Sequence, residues 1–380
     1  MRFSLAESPL RKTGLTLLAA AALLVAVVSC ASESAGPAGT RTNFAPKPRA
    51  FGDVNRVNVI ADDVILDSHV GDSVRYYYEQ AYPLMPQPEP LYDLNHLTVE
   101  ELDKLATRRE LTNYLILADL TDAESPATKL VARELGEEKL YAAREDYRRG
   151  TSIVTDRWAT GQTLIFLIAE GPDELAKLVA QSFPAAAKRI RAADRSKLEA
   201  NTYQSGRATV LPDSIAKLVG LSLEVPNDYR VALAEEDLVW LRRDLGQVTQ
   251  NLVVSSVPYV GEEQLSRDSV VAYRNAIGKQ VVRSSTPGSY MTSNDRDLPV
   301  VTSVTEINGQ YAYEARGVWE MTNDFMGGPY FTYLIPDAAT GRLYILDAFA
   351  YAPSKRKRNY MQQLELIAKS ARVVGGPAAG

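Results

Sequence analysis

The first half of the chain contains three short, almost continuously apolar segments that predict buried strands. They are VNVIADD at residues 57–63, NYLILADL at 113–120 and QTLIFLIA at 162–169. Strands that are apolar on both faces are typical of sheets covered by helices on both sides. Residues 51–207 are therefore expected to form a mixed α/β domain.

Helix signals fill the segments between these strands. Helices are predicted at residues 71–82, 98–106, 130–149 and 172–191. Pro83 stops the first helix, and Thr98 begins the second with Glu101 three residues later, which is the spacing of a capping box. The stretch from Pro83 to Leu94 contains four prolines and is expected to be extended, because each proline fixes φ and removes a hydrogen-bond donor.

The second half carries apolar patterns of period two that are separated by turn residues, which predicts antiparallel strands. Strands are predicted at residues 221–226, 229–233, 238–243, 251–259, 300–307, 310–321, 330–335 and 342–351. The pair Asn308-Gly309 favours a tight hairpin. One helix is expected over residues 262–277 and a last one from Ser354. Residues 208–373 therefore predict a mainly antiparallel domain with one inserted and one C-terminal helix. The fold class predicted for the whole chain is α+β, with two α/β sandwich-like domains.

The N-terminus has the layout of a bacterial signal peptide. Arg2, Arg11 and Lys12 form a positive leader, and Leu15 to Val28 is apolar. A helix of about 14 residues would measure about 21 Å, which is shorter than a bilayer core of about 30 Å. The run is therefore interpreted as the core of a lipoprotein signal peptide that covers residues 1–29.

Cys30, the only cysteine in the sequence, follows this run directly. Val27-Val28-Ser29-Cys30 resembles the bacterial lipobox, whose cysteine receives a diacylglyceryl group and becomes the new N-terminus. A soluble secreted protein with a chance cysteine is the alternative, but a lone cysteine without a disulfide partner favours lipidation. Several acyl chains, such as palmitate, on one residue anchor a protein stably. By the same resemblance, Ala31 and Ser32 favour the outer membrane, facing the periplasm, because inner-membrane retention is associated with aspartate.

Both ends of the mature chain are expected to lack fixed structure. Residues 30–50 are small, polar and proline-containing, which is typical of a flexible tether that follows the lipid anchor. Residues 374–380, VGGPAAG, are expected to form a flexible tail.

The overall charge narrows the class of partner. The formal net charge is −5, and a mildly acidic body argues against nucleic acid, because phosphate binding needs a basic surface. Basic residues cluster at 355–358, where they are interpreted as the solvated start of a helix. The membrane is therefore expected to be contacted through the N-terminal lipid and not through this basic cluster.

Five segments together resemble those of a domain-of-unknown-function family of bacterial envelope lipoproteins. They are PQPEPLYDL, GSYMT, RGVW, NDFMGGP and YAP, at residues 86–94, 288–292, 316–319, 323–329 and 351–353. The similarity covers nearly all of the body in the same order, and it implies kinship without naming an activity. More loosely, the second half is similar in layout to PsbP-like proteins, which are non-catalytic extrinsic subunits of the photosynthetic oxygen-evolving complex and their bacterial relatives.

The sequence offers no recognisable set of catalytic or metal-binding residues. His96 is near Glu89 and Asp93, but an ordinary partly buried imidazole explains it better than a metal site. No GxSxG motif is present, and two SxxK matches, at Ser214 and Ser354, are explained as helix caps. No catalytic residue, metal or cofactor is therefore predicted.

The segment NDFMGGP is the first candidate for a binding surface. Trp319 is expected to end a strand, and the loop after it carries Asp324, Phe325, Met326, Gly327 and Gly328. Paired glycines allow positive φ or the close approach of another backbone. The two large apolar residues of the loop could form a contact surface, or they could tuck under the sheet as a satellite core.

The proline-rich segment PQPEPLYDL is the second candidate. An extended segment that carries Glu89, Tyr92 and Asp93 could dock a partner, or it could simply bridge two elements of the fold.

These observations favour a non-catalytic binding or scaffolding lipoprotein of the envelope, with an envelope protein or glycan as its partner. The alternative is a periplasmic hydrolase that acts on peptidoglycan or polysaccharide through buried carboxylates. A deep cleft with two carboxylates about 5–10 Å apart would favour the hydrolase.

Overall fold

A five-stranded, mostly parallel sheet forms the centre of the first half. The computed structural model describes residues 46–145 and 149–374. The strands of this sheet are β1 (Arg56–Ile60), β2 (Asp93–Leu97), β3 (Asn113–Asp119), β4 (Arg149–Thr155) and β5 (Thr163–Ala169). Their order is β2-β1-β3-β5-β4, and only β4 runs antiparallel to its neighbour. The three apolar segments lie at the centre of the sheet, because they can be buried on both faces.

Helices cover both faces of this sheet. They are α1 (Asp63–Leu66), α2 (His69–Tyr78), α3 (Val99–Lys104), α4 (Pro126–Leu135), α5 (Glu137–Glu145) and α6 (Pro172–Thr202), with a 3₁₀ turn at Ala106–Glu110. Helices α2 and α6 pack on the face that carries Leu115 and Leu167. Helices α4 and α5 pack on the opposite face, which carries Ile116 and Phe166. Alternate residues of each strand thus enter two separate cores.

A large antiparallel sheet forms the second half. Its strands are β7 (Arg230–Glu235), β8 (Leu238–Leu245), β9 (Val248–Pro258), β10 (Met291–Ser293), β11 (Val301–Ile307), β12 (Gln310–Met321), β13 (Asp324–Asp337) and β14 (Arg342–Tyr351). Their order is β10-β12-β13-β14-β9-β8-β7, and β11 also pairs with β12. Two short strands, β6 (Leu221–Ser222) and β15 (Arg372–Val373), pair separately with each other.

Three helices cover the two faces of the antiparallel sheet. They are α7 (Leu211–Val219), α8 (Arg267–Val281) and α9 (Arg358–Ala368), with a 3₁₀ turn at Glu262–Gln264. The inserted helix α8 packs on the face that carries Ile345, whereas α7 and α9 pack on the face that carries Leu346. The predicted α+β class, with an inserted and a C-terminal helix on the antiparallel sheet, is confirmed.

Two local sequence signals have the structure that their chemistry requires. Thr98 and Glu101 exchange hydrogen bonds with each other's backbone N–H, at 3.1 Å each, so the capping box is present. Asn308 and Gly309 both have positive φ, 48° and 82°, as a two-residue hairpin of the primed type demands.

The observed elements differ from the predicted ones in several places. The helix expected over residues 130–149 is two helices, α4 and α5, because Gly136 between them has a φ of 88°. The polar strand β4 then follows, and the sequence pattern predicted neither this strand nor the polar strand β2 at the other edge of the sheet. Strand β13 begins at Asp324, so NDFMGGP is not a loop but mostly the start of a strand.

The last helix joins the two halves. Helix α9 packs on the antiparallel sheet of its own half and also contacts α6 of the first half. The chain from Lys47 onward forms one compact unit. The junction between α6 and α9 is therefore an internal surface to which both halves contribute.

Several sequence-based expectations fall outside the described residues. They are the signal peptide at 1–29, the lipidation site Cys30, the tether up to residue 45 and the tail from residue 375. None of the helices in the described ranges is long and apolar enough to cross a membrane.

Candidate functional site

Glu89 of the proline-rich segment closes the N-terminus of the last helix. Its side chain is buried, and its two carboxylate oxygens accept hydrogen bonds from the backbone N–H groups of Lys357 (2.6 Å) and Arg358 (2.9 Å). The first N–H groups of a helix have no partner within the helix, and a carboxylate there also interacts favourably with the helix dipole. Glu89 is thus engaged within the molecule.

Asp93 is held by two arginines of the same C-terminal segment. Arg356 and Arg358 each approach one carboxylate oxygen at 2.6 Å. Although partial burial raises the pKa of Asp93, the hydrogen bonds from Arg358 and Arg356 outweigh it and hold the pKa below its ordinary value. Lys357 and Arg358 are buried, so the interpretation of residues 355–358 as a solvated helix start is wrong for these two.

Tyr92 of the same proline-rich segment contacts helices α2 and α6. Its ring is buried and tilted against Tyr78, with ring centroids 6.0 Å apart, and its hydroxyl donates to the carbonyl of Ala187 on α6 at 3.3 Å. Burial raises the pKa of Tyr92 to about 12, so the phenol remains neutral. The proline-rich segment therefore contacts both α6 and the start of α9.

The glycines of NDFMGGP permit the close approach of neighbouring backbone. A Cβ on Gly328 would lie 2.1 Å from the carbonyl oxygen of Ala350 on β14, and one on Gly327 would lie 2.8 Å from the carbonyl oxygen of Trp319. Trp319 is buried, and its indole Nε1 donates to the Ala350 carbonyl at 3.2 Å. These three residues, which were candidates for ligand binding, thus pack strands β12, β13 and β14 together.

The remaining residues of this segment divide between core and surface. Met326 packs against the core beneath α8, whereas Phe325 is fully exposed. The Asp324 carboxylate accepts a hydrogen bond from the backbone N–H of Phe325 at 2.8 Å. Phe325 is therefore an exposed aromatic side chain at the tip of the hairpin whose first strand carries the buried Trp319.

Three cavities lie along the junction of α6 and α9, and we call them together the junction groove. Their volumes are about 560, 640 and 380 Å³. The first includes Glu89 and Asp93, the second includes Tyr92, and the third shares Leu198 with the first. The second and third cavities share Arg191, Gln362, Glu365 and Lys369. The proline-rich candidate residues thus line this groove, and the NDFMGGP residues do not.

The second and third cavities carry more positive than negative charge. Arg191 and Arg195 are exposed on one face of α6, and neither forms an ion pair within the described part of the chain. Lys369 lies on the opposite wall, where it pairs with Glu365 at 2.7 Å. In a chain with a net charge of −5, this is a local concentration of cations. An excess of one sign of charge in a groove raises the local concentration of oppositely charged ligands.

Two carboxylates of the third cavity have pKa values shifted in opposite directions. Burial raises the pKa of Asp194, whose oxygens accept from the Asn55 backbone N–H (2.8 Å) and the Asn113 side chain (2.9 Å). Burial would also raise the pKa of Glu365, but Arg316 and Lys369 outweigh it and hold that pKa below its ordinary value.

A polar network crosses the groove floor from one half to the other. The side-chain amide of Asn55 donates to Asn359 (3.0 Å) and to Gln362 (2.7 Å), both on α9. Because the Asn55 backbone also contacts Asp194 of α6, the two helices are joined through one residue that precedes β1. This network fixes the relative position of the groove walls.

The usual ligand position of an open α/β sheet is closed in this molecule. In open α/β sheets, ligands bind at the switch point, which is the crevice where the strand order reverses. Strands β2 and β3 lie on opposite sides of β1, so the switch point here lies beyond the carboxyl ends of β1 and β3. There the carboxylate of Asp62 accepts hydrogen bonds from the Ser125 hydroxyl and, at 3.4 Å, from the Ala127 N–H at the start of α4. An anion that would bind at this helix terminus is replaced by the chain's own carboxylate.

The other chemical motifs of the sequence are accounted for locally. Across the described ranges, no group of three or more His, Cys, Asp or Glu side chains is placed to hold a metal ion. His96 contacts the carbonyl of Ala61 at 3.2 Å. Ser214 lies inside α7 and donates to the Val210 carbonyl at 3.1 Å, and Ser354 precedes α9, so neither serine caps its helix as expected.

The groove residues that sequence reasoning missed are Arg191, Arg195, Gln362, Glu365 and Lys369. On α6 the signal was present in KRIRAADRSK at residues 188–197, where Arg191 and Arg195 recur at the spacing of one helical face. That pattern is also typical of a solvated face, so only the tertiary structure distinguishes the two.

Family models match each half of the chain separately. Residues 50–203 match a domain of unknown function, DUF8532, and residues 209–370 match a second domain of unknown function, DUF4837. These matches confirm the expected kinship with domains of unknown function, but two families divide the body where the sequence analysis predicted one. No curated protein matches the chain in sequence.

Three solved structures illustrate the distant likenesses. Cyanobacterial PsbP (CyanoP) from Synechocystis sp. PCC 6803 has a TM-score of 0.28 at 18% identity, covering 40% of this chain and 86% of that one. The Ran-binding protein Mog1p of Saccharomyces cerevisiae has 0.28 at 8% identity, covering 41% and 90%. LpqN of Mycobacterium tuberculosis, involved in cell envelope biogenesis, has 0.27 at 13% identity, covering 40% and 83%. Likenesses at these TM-scores support no functional argument.

Proposed function

We propose that this chain is a lipid-anchored protein of the bacterial cell envelope that binds an anionic envelope glycan in the junction groove without chemically changing it. The anchor is Cys30, at the end of an apolar leader, and the favoured location is the periplasmic face of the outer membrane. The observation that carries the binding function is the groove with its two unpaired arginines.

The size and position of the groove support a ligand site. Cavities of about 300–1,000 Å³ between domains are typical of ligand sites. The two larger cavities here, about 560 and 640 Å³, lie within that range. Both halves contribute to the walls, and the polar network through Asn55 keeps the walls in place.

The charge of the groove selects the class of ligand. Guanidinium groups bind carboxylates and phosphates through paired, charge-assisted hydrogen bonds. Arg191 and Arg195 are one helical turn apart, so they can contact successive anionic groups of an extended molecule. Lys369 on the facing wall adds to the same field. An envelope glycan that bears carboxylates or phosphates fits this spacing, and nucleic acid is disfavoured by the net charge of −5.

The test is a titration calorimetry experiment with the mature full chain carrying Cys30→Ser. The probe is a soluble peptidoglycan fragment that bears carboxylates, compared with the corresponding neutral saccharide. The test variant is Arg191→Gln/Arg195→Gln. The control is Lys188→Gln/Arg189→Gln, which removes the same charge from exposed positions of the same helix that do not line the three cavities.

Each charged hydrogen bond contributes about 1.5–3 kcal/mol, and 1.4 kcal/mol is tenfold in affinity. Because both arginines are exposed, we expect the lower end, a roughly 10- to 100-fold loss in the test variant and less than about threefold in the control. Equal affinity of the two variants, or binding of the neutral saccharide as tightly as the charged one, would reject the groove as an anion site.

The anchor has its own test. We expect Cys30→Ser to leave the body folded and to release it from membranes, because the acyl chains supply the attachment. Fractionation of cells and mass spectrometry of the processed protein measure this. An unmodified thiol, or a mature chain that begins at another residue, would refute the anchoring mechanism.

A second candidate function is hydrolysis of an envelope glycan. It is favoured by one observation: the carboxylates of Asp194 and Glu365 line the same cavity, as an acid and a base would, and their pKa values are shifted in opposite directions. Wild-type chain would then release soluble fragments from peptidoglycan, and Asp194→Asn would not, whereas the exposed Asp173→Asn would retain the activity. Binding without release supports the first proposal.

A further inference from the structure

Another charged cavity, outside the junction groove, lies at the end of α8. It has a volume of about 360 Å³ and is formed by the last turn of α8 and the loop of residues 283–290. Helix α8 and helix α9 cover opposite faces of the sheet, so this cavity is separate from the junction groove.

The lining of this cavity is suited to an oxyanion. Two cations, Lys279 and Arg283, line it, and no aspartate or glutamate is among its lining residues in the described part of the chain. Both cations are exposed, and neither forms an ion pair with another described residue. The Arg283 Nε donates to the Lys279 carbonyl at 3.2 Å, and its terminal nitrogens make no hydrogen bond with the described residues.

A buried hydroxyl without a partner lines the same cavity. Ser289 is only 3% exposed, and its Oγ makes no hydrogen bond within the described structure. Buried polar groups are almost always hydrogen-bonded, so an unpaired one in a cationic cavity indicates a missing acceptor or donor. Three further residues with hydroxyl groups also line the cavity, namely Ser284, Ser285 and Thr286. Hydroxyls and cations together are the donors that a phosphate accepts from.

An exposed aromatic side chain lies at the same end of the sheet. The hairpin between β12 and β13 is joined to this loop, since Thr322 N–H donates to the Tyr290 carbonyl at 3.0 Å and Tyr290 N–H donates to the Thr322 hydroxyl at 3.2 Å. Phe325, three residues further, is fully exposed. An aromatic ring beside a phosphate-binding cavity is the combination found at surfaces that rest on lipid headgroups.

We propose that this end of the molecule contacts an anionic membrane surface, with the phosphate of a phospholipid headgroup in the cavity of Lys279, Arg283 and Ser289, and with Phe325 inserted beside it. This contact is independent of the lipid on Cys30 and of any ligand in the junction groove. It would orient a tethered body on the bilayer.

The test is vesicle binding by the full mature chain carrying Cys30→Ser, so that no acyl chain contributes. Vesicles of phosphatidylcholine alone are compared with vesicles that also contain phosphatidylglycerol, and soluble glycerol phosphate is tested in parallel. We expect binding only where phosphatidylglycerol is present. Each basic residue near an anionic surface contributes a factor of about five, so Lys279→Gln/Arg283→Gln should bind at least about tenfold more weakly.

Matched variants separate this surface from a general effect of charge or polarity. Lys217→Gln/Arg230→Gln removes two exposed cations that do not line the cavity, and it should bind like the wild type. Phe325→Ser should bind about tenfold more weakly, whereas Val260→Ser, an exposed residue near the other end of β13, should not.

Insertion itself has a direct readout. In Phe325→Trp, the fluorescence of the new indole should shift to shorter wavelength on phosphatidylglycerol vesicles and be quenched by brominated lipid. Equal binding to both vesicle types, equal binding of the Lys279/Arg283 double variant and its control, or an indole signal in Phe325→Trp that vesicles do not change would each overturn the proposal. Tight binding of soluble glycerol phosphate with no vesicle binding would assign the cavity to a free phosphate and would also overturn it.

Discussion

Replacement of Glu89 by alanine is expected to destabilise the body by about 3–7 kcal/mol. The change leaves the backbone N–H groups of Lys357 and Arg358, now bonded at 2.6 and 2.9 Å, without an acceptor in a buried position. Each buried unsatisfied group costs about 1–3 kcal/mol. Loss of the negative charge at the start of α9 adds about 1 kcal/mol, because the helix dipole is no longer compensated.

Glu89→Gln provides the graded comparison. One amide oxygen can still accept one of the two hydrogen bonds, so we expect roughly half the loss seen with alanine. Glu306→Ala is the matched control, since Glu306 is exposed on β11 and its side chain makes no hydrogen bond or ion pair within the described residues. That control should leave the free energy of unfolding unchanged.

Urea denaturation followed by tryptophan fluorescence and by circular dichroism measures these differences. Because α9 joins the halves, we also expect the two probes to diverge in Glu89→Ala, as the halves unfold less cooperatively. If the alanine variant lost less than about 1 kcal/mol and its two transitions still coincided, the carboxylate would not be the cap that completes the junction.

Three further predictions follow from other contacts. Gly328→Ala places a Cβ 2.1 Å from the Ala350 carbonyl oxygen and should lower stability by about 1–3 kcal/mol in thermal denaturation; an unchanged midpoint would contradict the close approach. Arg274→Met breaks a fully buried ion pair with Asp347 (3.1 Å) and should cost about 3–5 kcal/mol, most of which Arg274→Met/Asp347→Leu should restore; a double variant less stable than the single one would refute this. The lowered pKa of Asp93 gives stability that is present above the unfolded pKa of about 3.9 and is lost as pH falls through the folded value, so Asp93→Asn should flatten the acid limb of a stability–pH curve; equal limbs would exclude a role for Asp93.

Features that depend on neighbours in sequence could be predicted. The capping box at Thr98 and the hairpin at Asn308-Gly309 are each specified within four residues, and both are present. The three central strands of the first sheet, β1, β3 and β5, were recognisable because burial on both faces makes them almost continuously apolar, whereas the polar edge strand β2 was not predicted. Strand β4 was missed because it is a half-polar edge strand that follows a charged helix.

Features that depend on distant partners could not be predicted. Glu89 and the N–H groups that it accepts from are separated by 268 and 269 positions, and nothing local distinguishes it from a solvated glutamate. Likewise, Arg274 lies in a helix of ordinary polar composition, and its burial is evident only once Asp347 is opposite it. The junction groove is formed by contacts between residues that are far apart in sequence. The sequence therefore indicated Glu89, Tyr92 and Asp93 as candidates, but it did not indicate which residues they contact.

The contact between Glu89 and residues 357 and 358 can form only after both ends of it have been synthesised. The ribosome synthesises the first half long before Lys357 and Arg358, so the Glu89 carboxylate of the nascent chain has no partner at the junction until those two residues are made. Any product that ends before residue 357 lacks these hydrogen bonds to Glu89. Such truncated chains would therefore expose at the junction an unpaired carboxylate that the folded protein buries.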